Sequence, residues 1–206
     1  MKEYCEKIKS KLSAERKNID TSPTEAQIEA GNYAKGHISI QGYQITIENP
    51  KGSYRHGVDK NGKEWKTKMH NDYGYFTRTL GKDGDAIDVF IGNSIDSDTV
   101  FVVDQKNGKG EFDESKVMLG FKTAEDAKKA YLSNYSPGWK GFMNITGVSH
   151  ETFKKWLYDG HRQRKPFYQY VEVQKQKLDE TKKKRKLYLT ETQFKNICLQ
   201  LNNFTK

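Results

Sequence analysis

The run Asp83-Gly84-Asp85-Ala86-Ile87-Asp88 crowds three carboxylates into six positions. Carboxylates this close repel and raise one another's pKa unless a cation neutralises them, so the spacing points to a bound divalent metal. If the run enters a strand, residues two apart share a side, so Asp83 and Asp85 converge, Gly84 permits a tight approach and Asp88 joins at the strand start. Hard carboxylate oxygens favour magnesium, manganese or calcium over zinc. A calcium EF-hand loop is excluded, because its sixth position here is Asp88 instead of Gly and its twelfth is Ser94 instead of Glu. The competing reading of the same residues is an acidic turn ahead of a strand, and their surroundings must decide.

Other chemistries find no support. His37, His56, His70, His150 and His161 show no H-x-x-x-H or H-E-x-x-H spacing. There is no Ser or Cys nucleophile motif and no G-x-x-x-x-G-K-[ST] phosphate loop. Cys5 and Cys198 lie near opposite ends with neither CxxC spacing nor metal-ligand company, which fits a reduced cytoplasm better than a disulfide framework.

The acidic run must be held by short strands. Ile38 and Ile40, then Ile45 and Ile47, alternate with polar residues around Gly42 and predict a β-hairpin. A turn at Asp59-Lys60-Asn61-Gly62 separates two further short stretches, and strands follow near 86–91, 100–103 and 116–121. A helix is expected after Thr123 through Ala127, Ala130 and Tyr131, and another from about Ser149 to Tyr158 after the Pro137-Gly138 break. Many short strands with flanking helices predict an α+β chain built on a small barrel or sandwich.

The ends read differently. Tyr4, Ile8 and Leu12 give residues 1–20 a thin apolar stripe on a polar, loosely held helix. Ser22, Pro23 and Glu25 then predict a capped helix that stops at Gly31. Between Lys175 and Lys206, nine Lys/Arg against three Asp/Glu put six of the nine net positive charges in the tail. Such a run favours a solvated linker over a nucleic-acid contact, and the stretch 174–186 is too polar to bury anything. Thr190 and Gln193 form a capping box for a last helix whose face carries Phe194, Ile197, Cys198 and Leu201. The division expected is thus an N-terminal helical extension at 1–36, a barrel domain at 37–173, and a basic linker with an amphipathic helix at 174–206. No apolar run approaches the roughly 18 to 20 residues needed to span a bilayer.

Tyr73-Gly74-Tyr75, followed by Thr79-Leu80-Gly81-Lys82-Asp83-Gly84-Asp85-Ala86-Ile87-Asp88-Val89, resembles the signature of the soluble family I inorganic pyrophosphatases. Ile47-Glu48-Asn49-Pro50 upstream and Asp113-Glu114-Ser115-Lys116 downstream resemble further segments of that family, in the right order. The stretches Thr24 to His37 and Ile47 to Ser53 look still more like pyrophosphatase-like domains carried by phages and mobile elements.

The resemblance implies an OB-like β-barrel and magnesium-dependent hydrolysis of pyrophosphate to two phosphates, with manganese as a substitute. It implies metal ligands among Asp83, Asp85, Asp88, Asp104 and either Asp113 or Glu114, with Glu48 orienting a metal-bound water. Asp85 would be the general base. Arg55, Lys68 and Lys116 would be phosphate-binding cations, and Tyr73 and Tyr135 phosphate-binding phenols. The chain departs from the family at Ala86, a usual Pro, at Gly57, a usual Glu, and at Ser136, a usual Lys, for which Lys140 offers a substitute charge. These departures leave open another phosphoanhydride, such as a nucleotide, as substrate. A non-catalytic phosphate or nucleic-acid binding module using the basic tail is the reading from a different class. A homo-oligomer, in the host cytoplasm for a phage protein, completes the expectations.

Overall fold

The computed structural model describes residues 2–58, 62–159 and 164–203, with the side chains of 186–190, 192, 194 and 197–203 left outside the description. The chain divides into two compact units, Met1–Tyr168 and Gln169–Lys206.

The first unit is a mixed α+β structure. The hairpin expected around Gly42 is present as strands β1 (Gly36–Ile40) and β2 (Tyr43–Asn49), paired antiparallel with Ile38 opposite Ile45. Its two-residue turn holds Gln41 at φ 50° and Gly42 at φ 85°, the left-handed pair that matches the twist of the flanking strands. A separate antiparallel ribbon consists of β3 (Tyr54–Val58) and β4 (Glu64–Lys68), and most of the turn expected between them lies outside the described residues. Strands β5 (Asp72–Phe76), β6 (Asp88–Ile91), β7 (Thr99–Lys106), β8 (Phe112–Leu119) and β9 (Phe142–Ser149) complete a seven-stranded sheet ordered β1-β2-β5-β6-β8-β7-β9. All of its pairs are antiparallel except β6 with β8. The sheet is open, with β1 and β9 at its edges, so the α+β class holds while barrel closure does not follow from the strand order.

Helices cover both faces. Period-two alternation sends Tyr73 and Phe90 to one side, where they pack with Tyr131 of helix α3 (Ala124–Ser133, after α1 and α2 below). Phe76 turns to the other side and meets Phe153 of α4 (His150–Leu157) together with Tyr43. These two helices start where the sequence places them, and Thr123 and Ser149 cap them, each accepting from a backbone N–H three residues on. Gly74 has no alternative residue: a β-carbon there would stand 1.9 Å from the Thr46 carbonyl oxygen, so the close approach of β2 and β5 requires it.

Three expectations for the ends need correction. Helix α1 (Lys2–Asn18) is tied down: Ile8 and Leu12 are buried, and the Arg16 guanidinium grips the Asp72 carboxylate through bonds of 2.8 and 2.6 Å. Helix α2 (Glu25–Glu29) is capped by Thr24, not Ser22, because Gln27 rather than Glu25 returns the reciprocal bond of the capping box. The stretch read as a linker is helical: α5 runs unbroken from Phe167 to Asn203, through Thr190, where a new helix start was expected. Nothing in that span is Gly or Pro, and Lys, Glu, Gln and Arg propagate a helix as well as they solvate a coil. The side chains of Phe194, Ile197, Cys198 and Leu201 lie outside the described residues. No helix among the described residues is long and apolar enough to cross a membrane.

Candidate active site

Asp83 and Asp85 sit in a tight turn before β6, not on a strand, so their convergence cannot rest on strand alternation. Gly81 N–H donates to the Asp85 carbonyl at 2.5 Å, and Asp85 N–H donates to the Asp83 carboxylate at 3.1 Å, which closes the turn. Gly84 lies at φ 94°, a conformation that L side chains rarely adopt. Lys82 ties the turn to the start of β8 through the Phe112 carbonyl. Asp83 and Asp85 are exposed at the mouth of a cavity of about 710 Å³, and Asp88, the first residue of β6, is half-buried in its wall.

The cations come from other strands. On β8, alternation puts Glu114 and Lys116 on the cavity side and turns Asp113 to solvent. Lys116 is 3% exposed, and its ammonium bonds the Asp88 carboxylate, Glu114 Oε2 at 2.7 Å and the Tyr73 hydroxyl at 3.4 Å. Tyr73 in turn donates to Asp88 Oδ2 at 2.7 Å. Burial would pull the Lys116 pKa down, but the facing carboxylates of Asp88 and Glu114 outweigh it and hold the ammonium well above its usual range. Burial likewise pushes the Glu114 carboxyl up, aided by Asp88 and Asp83 and opposed by Lys116. The Tyr73 phenol is raised by burial, so it remains a hydrogen-bond donor near neutrality. Arg55 on β3 lays its guanidinium over the Tyr73 ring, 4.6 Å from the centroid, and stays fully cationic.

A third wall comes from the N-terminal segment. Tyr33 donates to Glu48 Oε1 at 2.9 Å and Lys35 bonds the same oxygen at 2.8 Å, so the Glu48 carboxylate enters the cavity already neutralised. Burial, and then Glu48, push the Tyr33 phenol up to about 12. Asp20, Thr21, Pro23 and Ile28 extend this wall.

The expected site residues thus separate. Glu48, Arg55, Tyr73, Asp83, Asp85, Asp88, Glu114 and Lys116 line one cavity. Lys68 does not join them: it is exposed at the end of β4, opposite Tyr54, and is not among the residues that line the cavity. Asp104 is fully buried, and its carboxylate accepts from Phe167 N at 2.6 Å, Tyr168 N at 3.2 Å and Ser115 Oγ at 3.1 Å, so it caps the first turn of α5. Tyr135 donates to Gln105 at 2.9 Å and stacks on Trp139, and it is not among the residues that line the cavity; Lys140 is exposed and is not among them either. Among the described residues, no group of three or more His, Cys, Asp or Glu is gathered to hold a metal ion. Asp88 and Glu114 are turned toward Lys116, which supplies the countercharge that the sequence argument assigned to a metal.

Sequence reasoning missed Trp65, Tyr33 and Lys35. Trp65 had no motif to mark it, but Gly57 opposite it did: a β-carbon at Gly57 would stand 2.7 Å from Trp65 Cζ2, so the indole fills the place a larger residue would take. Ser136, another departure, lies 3.3 Å from the Thr67 hydroxyl and bonds the ribbon to the body.

A search of curated proteins returns no match. The model of the inorganic pyrophosphatase family matches residues 25–158, more than half of the chain, a span that contains every cavity-lining carboxylate and cation named above except Asp20. The chain belongs to the inorganic pyrophosphatase family.

Proposed function

We propose that the chain is an inorganic diphosphatase, hydrolysing pyrophosphate to two phosphates by attack of water with the help of magnesium. The observation that carries this reading is the meeting, in one cavity, of the Glu48, Asp83, Asp85, Asp88 and Glu114 carboxylates with the Arg55 guanidinium, the Lys116 ammonium and the Tyr73 phenol. Arg55 and Lys116 bind the anion, and Tyr73 donates to a phosphoryl oxygen when its hydroxyl turns from Asp88. Asp85 takes the proton of the attacking water: it is exposed to the cavity, and among the described residues its carboxylate makes no hydrogen bond or ion pair. A base must be free to accept, and Asp88 and Glu114, both held by Lys116, are not.

The donor set suits magnesium in kind, since Asp83, Asp85, Asp88, Glu114 and Glu48 present only hard carboxylate oxygens to one cavity. Asp83 would hold the ion first, and Asp85 would share it while keeping one carboxylate oxygen free to accept the proton, with Asp88 and Glu114 joining if Lys116 turns to the substrate. Bound there, magnesium or manganese would neutralise phosphoryl charge and lower the pKa of the attacking water. Asp104 and Asp113 take no part. The sheet and its helices serve this site in the manner of an OB-like domain, and in a phage or mobile-element setting the reaction would remove pyrophosphate released by polymerisation.

Phosphate release from pyrophosphate by the full chain, with magnesium, with manganese and with a chelator, tests the reading. Release that requires the divalent ion is expected. A folded chain that releases no phosphate with either metal overturns it.

A further inference from the structure

The cavity wall is only partly built for phosphate. Its volume of about 710 Å³ falls in the range of pockets that enclose drug-sized ligands, roughly 300 to 1,000 Å³, and is far more than a bare diphosphate fills. Besides its charges it is lined by Trp65, Tyr54 and Tyr33 and by the apolar side chains of Pro23 and Ile28. Ile28 is 46% exposed on a helix of five residues that buries nothing, so its apolar surface is spent on the cavity and not on a core. A fully charged ligand such as pyrophosphate gains nothing from these surfaces.

Arg55 joins the two parts of the cavity. Its guanidinium is near both the Tyr73 ring, 4.6 Å from the centroid, and the Trp65 ring, 5.8 Å from the centroid. A phosphoryl group held by Arg55 therefore has its ester substituent beside the indole. The indole itself is held across Gly57, where no side chain competes for its place, and is only half-buried. A preset aromatic face beside a cationic grip is the arrangement that stacks a nucleobase while its phosphates are bound.

Resting on the phosphoanhydride hydrolysis proposed above, we infer that the site takes a diphosphate carrying a planar aromatic group, a nucleoside 5′-diphosphate being the simplest, with the base stacked on Trp65. Water adds its oxygen to the terminal phosphorus and the bridging P–O bond breaks. The bridging oxygen leaves with the nucleoside monophosphate, inorganic phosphate is released, and the surplus proton passes through Asp85 to solvent. No redox partner or co-reactant beyond water is needed.

The test compares adenosine 5′-diphosphate, methyl diphosphate and pyrophosphate, each with magnesium, on the full chain. Methyl diphosphate has the ester without the ring. Alanine scans price base stacking at roughly five- to 150-fold in affinity, so kcat/KM for adenosine 5′-diphosphate is expected to exceed that for methyl diphosphate by about tenfold or more. Trp65→Leu, which keeps apolar bulk but loses the planar face, brings the ratio towards one, and Trp65→Phe retains most of it. Equal turnover of the two esters, or a ratio unmoved by Trp65→Leu, overturns the inference while pyrophosphate turnover leaves the hydrolase reading standing. Failure of all three substrates overturns both.

Discussion

The Trp65 indole lies across Gly57, on the neighbouring strand of the β3–β4 ribbon, so closely that a β-carbon at Gly57 would stand 2.7 Å from Cζ2 and 3.0 Å from Cε2. Real side chains do not tolerate such a separation, and the indole has to move. Gly57→Ala is therefore expected to turn Trp65 out of its place in the cavity wall. The loss in stability should be modest, about 1 kcal/mol, because the ribbon is half-exposed and the ring can swing into the cavity. Tryptophan fluorescence and near-ultraviolet circular dichroism report the movement, and spectra identical to the parent's would show that the indole packs less tightly on Gly57 than this separation requires.

Asp85 and its neighbours allow a sharper test of the proton acceptor. The turn is held by the Gly81 and Asp85 backbone bonds and by the Asp83 carboxylate, not by the Asp85 side chain. Asp85→Asn should fold like the parent while phosphate release falls by about 10²- to 10⁴-fold, the usual contribution of a positioned general base. Asp88→Asn is the contrast, because it removes a partner of Lys116 and Tyr73 and should weaken both turnover and folding. Matched thermal midpoints for the parent and Asp85→Asn, with undiminished turnover, would remove Asp85 from the mechanism.

Lys116 stands where a buried cation compensates two carboxylates. Lys116→Met leaves Asp88 and Glu114, whose side chains are 20% and 23% exposed, facing each other without it. Breaking a buried pair from one side costs about 3–5 kcal/mol, and the residual exposure of both carboxylates places this variant at or below the lower end, about 2–3 kcal/mol. A urea midpoint unchanged at neutral pH would show that solvent or a bound cation already does the work of the ammonium. Because a divalent ion could replace the lost charge, added magnesium should restore more stability to Lys116→Met than it adds to the parent.

Local features of this fold were legible in the sequence, and long-range ones were not. The hairpin around Gly42 and the helix starts after Thr123 and near Ser149 each depend on a few neighbouring residues, and each stands where the pattern put it. The acidic turn was legible as a cluster, but its partner was not: whether a metal or Lys116 answers Asp88 depends on strand β8, 28 residues away. Lys68 and Arg55 look alike as isolated cations, and only the ribbon's pairing, Arg55 opposite Thr67 and Tyr54 opposite Lys68, puts them on different faces. The Tyr33 and Lys35 bonds to Glu48 join a loop to a strand, which no local period encodes. Strand β9 went unseen because an edge strand of intermediate burial lacks a clean alternation, and the α5 helix because a Lys-rich helix and a Lys-rich linker share one composition.

Asp104 offers a prediction in which pH is the variable. Its carboxylate has no exposure to solvent, and burial raises its pKa above 3.8 even though Phe167 N–H, Tyr168 N–H and Ser115 Oγ all favour the charged form. A carboxyl whose pKa is raised by folding binds its proton more tightly in the native than in the unfolded chain. Its contribution to stability is then complete below 3.8 and is lost as pH rises through the higher, folded value. Asp104→Asn abolishes this titration and keeps a carbonyl oxygen to accept from the first turn of α5. The unfolding free energy of the parent minus that of Asp104→Asn should therefore fall as pH is raised from just below 3.8 and then level off towards neutrality. Taking the difference cancels the carboxylates common to both chains. Urea denaturation at a series of pH values measures it, and a difference that rises with pH would mean that the helix N-terminus, not burial, dominates at Asp104.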